Sequence, residues 1–68
     1  MDKTLVIQAI EAHAKRYRLK KTTIGQMAVG NRNAYDRLLK GTAHVGTAIR
    51  IAEWIEQDRA SREAERAA

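Results

Sequence analysis

Cysteine and proline are both absent from the 68 residues. Without cysteine, neither a disulfide framework nor a thiolate zinc site can staple a small fold. Without proline, and with only four glycines, little in the chain interrupts a helix. No apolar run approaches the ~18 residues that a membrane span needs. No basic-then-apolar segment opens the chain as a secretory signal. A chain of this length can bury about 60% of its unfolded surface, which allows one small domain with a marginal core. Abundant Ala, Leu, Ile, Arg, Lys and Glu favour helix almost throughout. The expectation is a cytoplasmic, all-α protein.

Charge is unevenly spread. Thirteen Lys and Arg stand against eight Asp and Glu. Residues 1–41 hold nine of the cations and three acids (Asp2, Glu11, Asp36), a balance of +6. Residues 42–68 hold four arginines and five acids, a balance of −1. A basic part beside a near-neutral remainder points to a polyanion-facing surface, whereas scattered lysines on a soluble protein would give the same total.

Periodicity divides the chain into helices. Thr4 is the expected cap of a first helix ending near Tyr17, with Val6, Ala9, Ile10, His13 and Tyr17 on one face. His13 reads as a core histidine. Leu19, alone among Arg18, Lys20 and Lys21, plugs the core between helices. A short second helix is expected over residues 21–28, with Thr22 as a candidate cap and Ile24, Met27 and Ala28 inward. Gly30 supplies the positive φ that ends it, and Asn31 caps a third helix over residues 32–40. That helix places Ala34, Tyr35, Leu38 and Leu39 on its apolar side and stops at Gly41. Thr47 is the expected cap of a fourth helix carrying Ala48, Ile49, Ile51, Ala52, Trp54 and Ile55. Beyond Gln57 the chain turns to Ala, Arg and Glu, with an Arg59–Glu63 pair at i+4. Residues 1–57 thus form the domain, and residues 58–68 a charged tail that extends the fourth helix or frays.

Two short helices joined by a glycine-containing turn are the layout of a helix-turn-helix. The segment runs from Ile24 to Gly41. Gly25 is small where the helices must cross, Ala28 and Val29 close the first onto the core, and Tyr35 and Leu38 anchor the second from within. Arg32, Asn33, Asp36 and Arg37 are left projecting from the second helix. Arginine suits guanine O6/N7 and asparagine suits adenine N6/N7, so these side chains can read base edges.

In these positions the sequence resembles the lambda-repressor/Cro-like family of helix-turn-helix DNA-binding domains. The likeness covers residues 4–57. It rests on Gly25 with Tyr35 and Leu38 ten and thirteen residues later, and on the stretch from Gly25 to Gly30 (Gly-x-x-Ala-Val-Gly), as in short phage and bacterial regulators. One feature departs from the family: Val29 stands where its turn glycine usually falls, and Gly30 follows. The start of the recognition helix is therefore open by one residue.

The resemblance implies a compact bundle of four to five helices. It also implies base contacts from Arg32, Asn33 and Arg37, and phosphate contacts from Lys21, Thr22 and Thr23 at a helix front where free N–H groups favour anions. Lys40, Thr42 and His44 are weaker phosphate candidates, and Tyr35 is core rather than a sugar-stacking residue. The implied function is transcriptional regulation: a homodimeric repressor on an inverted repeat in a promoter. An autoregulator of a phage or mobile element, such as an anti-CRISPR-associated repressor, would fit. The alternative is a protein-interaction module on the same fold that has lost DNA binding.

Nothing in the sequence suggests an enzyme, a metal, a cofactor or a small-molecule ligand. His13 and His44 are far apart and lack ligand spacing, no glycine-rich phosphate loop occurs, and the single serine, Ser61, has no base beside it. The fourth helix suggests the dimer surface. At about 100° per residue its apolar positions span about 220°, more than one core requires. A second chain covering the excess would meet Ile51 and Trp54 at the centre, with Ile55 and Asp58 beside them; the alternative is that helices one and three of the same chain take up the arc.

Overall fold

A computed structural model describes residues 2–67, and its first helix opens on Asp2 rather than Thr4. Asp2 is extended, and its carboxylate accepts the Thr4 N–H at 2.9 Å, which places Thr4 inside the first turn of α1 (Lys3–Tyr17). Arg18 ends α1 in the left-handed region at φ 55°, returning its N–H to the Ala14 carbonyl.

The second helix, α2 (Lys21–Val29), has Lys20 at its cap position with no side-chain cap bond, and Thr22, the expected cap, lies inside the first turn. Gly30 closes it at φ 72°. The third helix, α3 (Ala34–Lys40), starts two residues later than the pattern predicts. The cause is the Asn31 side chain. Its Oδ1 accepts the Asn33 N–H at 2.9 Å, while its carbonyl accepts the Ala34 N–H at 3.2 Å. Those two bonds hold Arg32 and Asn33 in a turn and leave Ala34 as the first helical residue.

Gly41 ends α3 at φ 76°. The fourth helix, α4 (Val45–Ala67), begins before the expected Thr47 cap. The His44 carbonyl accepts from Thr47 at 3.1 Å and Ala48 at 3.3 Å, so helical bonding already spans Val45 and Gly46. Residues 58–67 continue α4 without a break. Its 23 residues account for the elongated 40 × 21 × 19 Å outline, since a helix rises about 1.5 Å per residue. Among the described residues the protein is all-helical, and no helix is long and apolar enough to cross a membrane.

The core is aliphatic: Val6, Ile10, Ala14, Ile24, Ala34, Leu38, Ala43, Ala48, Ile51 and Ile55 are all buried. Leu19, Tyr35 and Trp54 pack against it from partly buried positions. Met27 and Leu39, expected inward, are 51% and 54% exposed. Helices α2 and α3 have only about two turns each, and the positions that reach the core are Ile24 and Gly25 on one, Ala34 and Leu38 on the other.

The buried polar residue of this core is His13. Its Nε2 lies 2.7 Å from Asp58 Oδ2, and its ring is edge-on to Tyr17 and Trp54 at 4.8 and 5.7 Å. Asp58 also accepts from Arg62 Nε at 2.6 Å, and the Arg62 guanidinium lies 4.9 Å from the Tyr17 ring centroid. Together these contacts fasten the far half of α4 to α1. The expected Arg59–Glu63 pair does not form: Arg59 pairs with Glu56 at 2.6 Å and Glu63 with Arg16 at 3.4 Å.

Burial alone would raise the Asp58 pKa. Hydrogen bonds from Arg62 and His13, with the charge of Arg62, more than offset it and hold the carboxyl below its ordinary 3.8. An ionised Asp58 can only accept, so His13 Nε2 carries a proton. A carboxyl with a depressed folded-state pKa stabilises the fold above its ordinary pKa, and that contribution disappears as pH falls through the folded value. The melting temperature of the wild type should therefore exceed that of Asp58→Asn at neutral pH, and the gap should close on acidification below about pH 4. A gap that stayed constant down to strong acid would contradict this account.

Candidate nucleic-acid interface

Helices α2 and α3 cross at Gly25. A Cβ placed there would lie 2.7 Å from the Asn31 carbonyl oxygen, closer than side-chain carbons come, and 3.1 Å from the Ala34 Cβ, a tight contact. Only glycine lets the turn and the start of α3 sit so close to α2. That approach brings the Arg32–Asn33 turn opposite the front of α2, and between them lies an open cleft of about 560 Å³. Its walls are Lys20, Thr22, Thr23, Gln26, Arg32 and Asn33. All six are polar, two are cationic, and none is acidic.

Five of the eight acids are engaged in ion pairs, none of them with a residue lining the cleft. Glu63 holds Arg16, Glu56 holds Arg59, Asp58 holds Arg62 and His13, Asp36 holds Lys40 at 2.9 Å, and Glu11 lies 3.9 Å from Lys21. Among the described residues, Lys20, Arg32 and Arg37 have no carboxylate within 4.0 Å. Lys20 also leaves the first N–H groups of α2 without a side-chain cap, so the positive end of that helix lies open at the cleft. Asn33 spends its backbone N–H on Asn31, but its carboxamide makes no cap bond.

The sequence-predicted contact residues divide accordingly. Thr22, Thr23, Arg32 and Asn33 come together on the cleft. Lys21 does not: its Nζ turns toward Glu11 and sits 5.2 Å from the Tyr35 ring centroid. Lys20 takes the place expected for Lys21, because about 100° per residue aligns position 20 with Thr23 and turns position 21 toward α1 and α3. Asp36, expected among the base-reading side chains, is tied to Lys40. Arg37 is exposed on α3, outside the cleft lining. Lys40, Thr42 and His44 stand at or beyond the other end of α3, and the Thr42 hydroxyl donates to the Arg37 carbonyl at 3.4 Å. Lys20 and Gln26 are the two lining residues the sequence reading did not assign. The helical offset of Gln26 from Thr22 and Thr23, four and three positions, would have found it.

The residues expected to join a second chain are largely used within this one. Ile51 is 0% and Ile55 5% exposed, both inside the core. Trp54 packs against His13, and Asp58 is bound to His13 and Arg62. The wide apolar arc of α4 is mostly consumed by its own chain, since α1 and α2 both pack against it. Of that arc α4 leaves Ile49 exposed, with Ala52 half-buried beside it, and Val45, ahead of the arc, is exposed as well.

Comparison of the chain with models of protein families, with curated proteins and with solved structures finds no match.

Proposed function

We propose that the protein is a sequence-specific double-stranded-DNA-binding regulator in which α2, the Gly30–Asn33 turn and α3 act as a helix-turn-helix. The observation that carries this reading is the acid-free cleft, where Lys20 and Arg32, without a carboxylate partner among the described residues, line one space with hydroxyls and carboxamides. A polyanion gains most where cations lack internal partners, because no ion pair has to be broken to bind it. Lys20, Thr22, Thr23 and the open amides of α2 suit phosphate oxygens. Arg32 and Asn33 carry the donors and acceptors that base edges require. A unit this small spans one half-site, so the protein acts as a homodimer on an inverted repeat with half-sites about 34–36 Å apart. Repression follows from occupying a promoter, since no sensor domain is needed for that.

The test is a gel-shift titration on DNA from the gene's own upstream region at increasing salt. Wild-type affinity should fall steeply, linear on log–log axes. Lys20→Ala should weaken binding to every sequence about equally and reduce the slope by about one. A wild-type protein with no salt-dependent binding to duplex DNA would sink the reading.

A further inference from the structure

Gln26 stands apart from the rest of the cleft in its chemistry. It is exposed on α2, one turn beyond Thr22 and Thr23, and lines the same cleft as Arg32 and Asn33. Its backbone carbonyl is spent on Gly30, at 2.9 Å. None of the side-chain hydrogen bonds among the described residues involves its carboxamide. One donor group and one acceptor therefore project together into the cleft, with no charge to draw them to phosphate.

We propose that Gln26 is a sequence-reading residue of this interface, pairing its carboxamide with the N6/N7 edge of an adenine in the major groove. The assignment rests on the DNA-binding reading above and adds to it the base that one position of the site requires. Three points favour a base over a phosphate. A glutamine offers a donor and an acceptor side by side, which matches adenine N6–H and N7, whereas a phosphate oxygen only accepts. The cationic and hydroxyl groups that suit phosphate, Lys20, Thr22 and Thr23, already occupy the front of α2. Arg32 and Asn33, which line the same cleft, also carry edge-reading chemistry. Asp36 is the contrast, because Lys40 holds its carboxylate at 2.9 Å.

The experiment selects binding sites from a random duplex pool with the wild type, Gln26→Ala and Gln26→Glu. It then titrates each protein against the selected site and its single-base variants over a range of salt. Wild type should prefer adenine at one position of each half-site. Gln26→Ala should lose about 10- to 100-fold of discrimination at that position alone, with an unchanged salt slope. Gln26→Glu, which can only accept, should shift the preference there toward cytosine, whose N4 amino group donates. The residue is exposed, so helical content and melting temperature should match the wild type in both variants. If Gln26→Ala weakened all sequences alike, or changed neither preference nor affinity, the assignment would fall while the DNA-binding reading stood. If the wild type selected no site and bound no duplex, both would fall.

Discussion

Ile51→Ala is expected to unfold the protein near room temperature rather than to dissociate an assembly. Ile51 is fully buried at the centre of the aliphatic core. Truncating a buried isoleucine to alanine costs about 2–5 kcal/mol, from the lost transfer of apolar surface plus the cavity left behind. A domain of this size has only about 3–10 kcal/mol to lose, at roughly 0.05–0.15 kcal/mol per residue. Loss of helical signal with a collapsed melting temperature, read by circular dichroism, is the predicted outcome. Trp54→Ala should act in the same direction, because that ring packs edge-on against His13. A variant at either position that melted like the wild type but sedimented as a smaller species would place these side chains between chains instead. The exposed pair Val45 and Ile49 makes the complementary test, since removing them costs the monomer little buried surface.

Alanine at two helical glycines should have opposite effects. At Gly46, in the first turn of α4, a Cβ would meet nothing within 4 Å, so Gly46→Ala should gain a fraction of the roughly 0.5–1 kcal/mol that helix propensity gives in a helix interior. At Gly25, the same propensity gain is set against a Cβ 2.7 Å from the Asn31 carbonyl, a backbone atom that no rotamer change can move. Overpacking of that kind costs about 1–3 kcal/mol, so Gly25→Ala should be net destabilising by about 1–2 kcal/mol. The functional loss should exceed the loss of stability. Relief of the clash pushes the turn away from α2, and with it Arg32 and Asn33 leave the positions that form the cleft. Under conditions where Gly25→Ala remains folded, its DNA affinity should be at least tenfold below wild type, because a displacement of about 1 Å is large on the scale of a hydrogen bond. A folded Gly25→Ala protein with wild-type affinity would show that the close crossing is not needed for binding.

Much of this architecture is legible in the residues because it depends on local chemistry. Gly30 and Gly41 end helices at positive φ, and few other residues do so without strain. The apolar spacing of Val6, Ile10 and His13 marks the buried face of α1, a helix of about four turns and long enough for periodicity to be unambiguous. Gly25 announces a close crossing by its size. The all-helical content follows from the lack of proline and the abundance of good helix formers.

Other features depended on what each element packs against. A helix of seven or nine residues presents two adjacent apolar sides, so Met27 and Leu39 looked as inward as Ile24 and Leu38 until the neighbouring helices took one side only. The turn before α3 was settled by the Asn31 side chain, which accepts the Asn33 N–H when the same residue could have capped a helix starting at Arg32. Lys20 and Lys21 are indistinguishable by type, and the one-residue rotation between them decides which faces the cleft and which faces Glu11 and Tyr35. The arc on α4 could be measured along the chain, but not how much of it α1 and α2 would cover. Local conformational preference is written residue by residue, whereas burial is a property of pairs of elements, and only their assembly decides which of several permitted faces loses its water.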